Sequence, residues 1–181
     1  TEDSSPLTSL GMSRRFIAVA YDTLDQPMSG VTFAWTSSNP SVAQLESTTA
    51  ASTDARSAAN GLANIRATVH GVTGSAPLTV QQALAGIQVT PASATIGVSG
   101  TVGTIARGVD ANGFYISGGS FTFTSSNTAS ATVHATSGVV TGVAIGSTTI
   151  TAASGAITSS SGATITVSNS VPPVISFGRD T

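Results

Sequence analysis

The chain has 181 residues and a net charge of −2, with only 8% of its residues charged, so it carries no basic or acidic field that would gather nucleic acid or anionic lipid. No apolar run approaches the ~20 residues of a membrane-spanning helix. Cysteine and lysine are both absent, which removes disulfides, thiolate metal sites and lysine–asparagine isopeptide bonds and leaves packing and strand pairing to carry the stability.

A polar opening, Thr-Glu-Asp-Ser-Ser-Pro, leads into Leu7 and Leu10; a chain that starts on Thr1 rather than Met reads as a processed or excised segment. Phe16, Ala18 and Ala20 alternate with polar or outward positions, the period of a half-buried strand, and residues 22–27 (DTLDQP) supply a turn. Residues 29–45, SGVTFAWTSSNPSVAQL, form the most patterned stretch. Val31, Phe33 and Trp35 point one way, Ser-Ser-Asn-Pro breaks the strand, and a second strand is expected from Val42 to Leu45. The polar run from Glu46 to Asn60 predicts a long surface loop or a ragged edge. Ile65, Ala67 and Val69 resume an inward face, and Leu78 with Val80 closes the unit.

The same text recurs 88 positions on, from Phe33 to Phe121, as SGGSFTFTSSNTASATV. A fixed offset over many positions marks a repeated domain. Phe33, Trp35 and Leu45 in the first copy, and Phe121, Phe123 and Val133 in the second, are the expected core. Asn112-Gly113 is a hairpin signal, because both residues tolerate positive φ. Aligned on the second copy, Leu7 meets Ile96, so the strand Gly-Ile-Gln-Val-Thr at residues 86–90 has no counterpart within the first copy. The expected architecture is all-β: two tandem sandwiches in an elongated rod, at residues 1–82 and 83–168, joined by a linker too short to act as a free coil. The first is expected to lack its leading strand. Residues 169–181 form an extended tail in which Val174, Ile175 and Phe177 mark a candidate donor strand over 174–177.

These motifs resemble the bacterial immunoglobulin-like domain, group 2. The resemblance rests on Val89-Thr-Pro-Ala-Ser-Ala-Thr-Ile96, on residues 121–133, on Gly138-Val-Val-Thr-Gly-Val-Ala144 with Gly146 and Ile150-Thr-Ala152, and on Thr164-Ile-Thr-Val167. In the first copy residues 60–68 are more similar to group 1 domains of invasin- and intimin-like surface proteins. The resemblance implies immunoglobulin-like sandwiches, an exported setting on the cell surface or outside the cell, and no enzyme activity.

Candidate chemistry is sparse. His70 and His134 lack the partners of a catalytic or metal motif and read as edge histidines. Asp22 with Asp25, and Asp110 with Asn112, offer oxygens to calcium, but Ca²⁺ takes six to eight and the sequence supplies few, so they read as turn residues. No catalytic, cofactor or metal site is expected. Arg14-Arg15 is too short for a binding patch. Tyr21, Phe114 and Tyr115 are candidates for stacking on a sugar, with Phe114 also able to touch a neighbouring domain.

Three functions remain open. The first is a structural stalk or extracellular filament subunit that polymerises head-to-tail by strand donation from its tail, with copies of itself or neighbouring Ig-like domains as partners. Val174, Ile175 and Phe177 would be its donor contacts and Leu7 and Leu10 its acceptor contacts. The second is an adhesin-type module for carbohydrate or a host receptor. The third is a set of accessory domains in a larger exported enzyme.

Overall fold

The computed structural model describes residues 4–169, and every element in it is a β-strand. The chain divides into two compact units, one made of residues up to Leu84 together with Asp110–Phe114, the other of Ala85–Val109 and residues from Tyr115 on.

In the first unit the strands are β1 (Ser13–Ile17), β2 (Phe33–Ser37), β3 (Ala43–Leu45), β4 (Thr49–Ala50), β5 (Ser52–Ser57), β6 (Gly61–Val69) and β7 (Val72–Val80). They make two sheets, β4-β2-β6-β7 and β1-β5-β3. Inward residues of both sheets meet in one core: Phe33, Trp35, Ile65, Leu78 and Val80 from the first, Ala43 and Ala55 from the second. Leu45 packs against it half-buried. A two-residue turn joins β6 to β7, with His70 (φ 49°) and Gly71 (φ 80°) both left-handed, the backbone that matches strand twist in a tight hairpin.

The expected loop at 46–60 is a strand for much of its length. β5 pairs with both β1 and β3, and Thr53, Ala55 and Ser57 point inward. The Thr53 hydroxyl donates to the Ser47 carbonyl at 2.7 Å, and that of Ser57 to the Ser9 carbonyl at 2.8 Å. Small hydroxyl residues can be buried when every donor is satisfied, and a strand built on them shows no hydrophobic alternation.

The second unit contains β8 (Gly86–Thr90), β9 (Ser93–Ile96), β10 (Thr101–Gly103), β11 (Ile105–Val109), β12 (Thr122–Ser125), β13 (Ala131–Val133), β14 (Val139–Gly142), β15 (Gly146–Ser154), β16 (Ile157–Thr158) and β17 (Ala163–Val167). Its sheets run β12-β15-β17-β9 and β10-β14-β13, with β11-β8 as a further pair. Phe123 is buried in its core, while Phe121 and Val133 are half-buried. Gly138 has φ +70° and sits against the Thr104 carbonyl, so both the backbone and the space demand glycine at the head of the Gly-Val-Val-Thr-Gly motif.

Most strands of the two units correspond. β1 with β5 matches β10 with β14, β2 with β6 matches β12 with β15, and the Leu7–Val80 parallel bridge matches the parallel pairing of β9 with β17, where Ile96 meets Val167. The difference lies at β8. It pairs antiparallel with β11, lies against β15 and β16, and buries Ile87 and Val89. In the first unit, residues 17–21 hold the place of β11, and no strand among the described residues pairs with 18–20.

Candidate functional site: an open groove in the first unit

The place that β8 takes in the second unit is a groove in the first. One part, about 570 Å³, lies between residues 14–19 and the first half of β7, with Trp35, Ile65 and Ala67 at its floor. A second part, about 420 Å³, continues past Ala20 and Tyr21 over Phe33 and Val69. Ala18, Val19, Ala67 and Gly74 line both, so the two form one trough.

Its walls follow from the sequence. Phe16, Ala18 and Ala20 turn inward and are half-buried, whereas Ile17, Val19 and Tyr21 face out at 72%, 52% and 61% exposure. Val72, on the opposite wall, is 72% exposed. Gly74 has open space where a side chain would stand, so the groove is wide at its middle. The Ala20 carbonyl accepts from Met28 on the far side, and among the described residues no strand pairs with 18–20 on the groove side; an apolar floor beside such a segment is the geometry that accepts one more strand.

Leu7 and Leu10, expected as acceptor contacts, are committed inside their own unit. Leu7 is 4% exposed; its N–H donates to the Thr79 carbonyl at 2.9 Å, and its carbonyl accepts from Gln81 at 2.9 Å. It holds the position of Ile96, the strand after the missing one, so it borders the groove's sheet and leaves the groove open. Leu10 packs against the core, and both its backbone polar groups are bonded. The donor residues Val174, Ile175 and Phe177 lie outside the described residues.

The acidic candidates are turn residues. In Asp22, Oδ1 accepts from the N–H groups of Leu24 and Gln26 at 2.8 and 2.9 Å, and in Asp110 the same oxygen accepts from Asn112 and Phe114 at 2.9 and 3.0 Å. Asp110 does more. Its Oδ2 accepts from Leu10 N–H at 2.8 Å and Gln82 Nε2 at 2.9 Å, and Asn112 Nδ2 donates back to the Leu10 carbonyl at 2.8 Å, all within the first unit. Burial pushes the Asp110 carboxyl up, but the bonds donated by Gln82, Leu10, Phe114 and Asn112 outweigh it and hold it below 3.8. Nothing in the text around Asp110 signals this, since Leu10 is a hundred residues away.

The remaining candidates are bonded locally. His134 Nδ1 faces the N–H groups of Thr136 and Ser137 at 3.4 and 3.2 Å. The Tyr115 ring lies under the Arg107 guanidinium at 5.3 Å, and its hydroxyl donates to Gln88. Phe114 remains 45% exposed. Arg14 donates to the Ser5 carbonyl and Arg15 to the Ser52 hydroxyl at 2.9 Å. Among the described residues, no three His, Asp or Glu side chains gather as metal ligands, and no helix is long and apolar enough to cross a membrane.

Residues 83–167, a little under half of the chain, match the sequence model of the bacterial Ig-like domain (group 2). No curated protein matches the chain in sequence. Among solved structures, the chain is similar to invasin, a bacterial integrin-binding protein, at 17% identity and a TM-score of 0.50, over 91% of this chain and 37% of that one. It is also similar to the S-layer protein rSbsC(31-844), at 24% identity and a TM-score of 0.45, over 85% of this chain and 23% of that one. A third is FdeC, an Escherichia coli adhesin, at 19% identity and a TM-score of 0.47, over 91% and 60%. The chain therefore spans only about a quarter of the S-layer structure. The invasin likeness is one of fold: all-β, with Ig-like sheets.

Proposed function

We propose that the chain is a non-enzymatic structural protein of the bacterial surface, a stalk or an extracellular filament subunit, in which residues 174–177 of one copy supply the strand missing from the first unit of the next. The groove carries this reading. One unit completes its sandwich with β8, while among the described residues no strand fills the same place in the other, over Trp35, Ile65 and Ala67. Head-to-tail donation between two different surfaces does not close on itself and so propagates. The aspartates, His134 and Tyr115 are engaged by their own turns and neighbours, which favours architecture over chemistry.

Sedimentation and electron microscopy of the full chain, beside a chain ending at Ser170, test the reading. Polymers from the first and monomers from the second are expected; polymers of unchanged length from the shortened chain would reject donation by the tail. A second reading, adhesion to carbohydrate or a host receptor, rests on exposed Tyr21 and Phe114. A glycan array would show saturable binding that Tyr21→Ala weakens.

A further inference from the structure

We infer that the groove takes its strand in a single direction and register: residues 174–178 of a second copy run antiparallel to residues 17–21, with Ile175 opposite Ala20 and Phe177 opposite Ala18. This rests on the strand-donation reading above and specifies what that reading leaves open.

The second unit supplies the template. There β8 pairs with β11 so that Ile87 stands opposite Gly108 and Val89 opposite Ala106, with Gln88 facing out beside Arg107. Carried to the matching positions of the first unit, the five strand positions need an apolar residue at the second and fourth and tolerate a polar one at the third. Val-Ile-Ser-Phe-Gly at 174–178 meets that pattern, since Ile175 and Phe177 fall on the inward positions and Ser176 falls outside. A slip of one residue would turn Ser176 into the apolar floor and both large side chains to solvent, so the register is strongly specified.

Size agrees with the assignment. The inward side chains opposite the donor are only Ala18 and Ala20, as small as the Ala106 and Gly108 that face β8 in the second unit, and Ala67 and Gly74 complete a trough of about 570 Å³ in its first part. A phenyl ring at 177 has the volume to fill it, over Trp35. Charge agrees too. Extending the same register by two residues brings Asp180 opposite Arg15, which is exposed.

The absence of native cysteine makes the test clean. In this register Val19 faces Ser176, and both are outward positions, so a chain carrying Val19→Cys and Ser176→Cys should form a disulfide between copies. Oxidation should give a covalent ladder on a denaturing, non-reducing gel. Facing strand positions meet disulfide geometry and a position one residue along points to the other face, so the Val19→Cys, Phe177→Cys chain should cross-link at least about tenfold less. Polymers whose ladder forms through Phe177→Cys, or equally through both, would overturn the register while leaving donation intact. Polymers with no ladder from either pair would show that another segment fills the groove. A chain that sediments only as monomer would overturn the donation reading itself, and this register with it.

Discussion

Replacing Trp35 probes the groove floor and the core at once. The side chain is 4% exposed, its ring sits 6.2 Å from that of Phe33 at a 59° tilt, and its Nε1 donates to the Ala50 carbonyl at 2.9 Å. Trp35→Ala removes the ring, the tilted pair and the bond to β4 together, and a buried aromatic truncated to alanine costs about 3–5 kcal/mol. Because one side of the ring borders the open groove, water can enter the space left behind, which places the cost near the lower end, about 3 kcal/mol. Trp35→Phe keeps most of the packing and loses chiefly the hydrogen bond, about 1–2 kcal/mol. The second unit already runs with phenylalanine at the matching position, where Phe123 is 6% exposed. Guanidinium unfolding followed by far-UV circular dichroism is the assay, since Trp35 is the sole tryptophan and its fluorescence disappears with it. The first unit's transition should move and the second unit's should stay. A loss below about 1 kcal/mol from Trp35→Ala, or equal losses from the two variants, would refute the placement of this ring as core plug.

Other perturbations separate the remaining features. The Asp110 carboxyl has a folded pKa below 3.8, so its contribution is complete above that value and is lost as pH falls through the lower folded one; Asp110→Asn should flatten the acid limb of a thermal-melting series and lower the melting temperature at neutral pH. Gly138→Ala meets the Thr104 carbonyl at positive φ and should destabilise the second unit by more than about 2 kcal/mol, whereas Gly113→Ala, at φ +84° in open space, should cost about 1 kcal/mol in the same denaturation assay. Ala18→Glu, which places a charge in the trough, should abolish the polymer in sedimentation while leaving the monomer folded by circular dichroism.

Much of the fold was legible because it is written twice. The offset from Phe33 to Phe121 carries the repeat, and the alternation through Trp35 locates a core strand without reference to any structure. The same comparison leaves Gly-Ile-Gln-Val-Thr unmatched in the first copy, and among the described residues no strand pairs with 18–20. β5 was hidden because its inward residues are Thr53, Ala55 and Ser57, whose hydroxyls are satisfied by carbonyls that only the folded chain brings near. The burial of Leu7 was hidden for a different reason. An apolar residue at the front of an incomplete sandwich reads as an exposed edge, yet its parallel bridge to Val80 spans most of the unit and has no local signature. The Asp110 cluster joins Leu10, Gln82 and a turn far along the chain, so sequence shows only the turn.

Amide hydrogen exchange across residues 16–21 and 72–77, compared between assembled full-length chain and the monomer ending at Ser170, bears most directly on the groove. Strand donation predicts that alternate amides of 17–21 become protected on assembly while those of β11, already paired with β8, do not change. Equal exchange along 17–21 in polymer and monomer would contradict it.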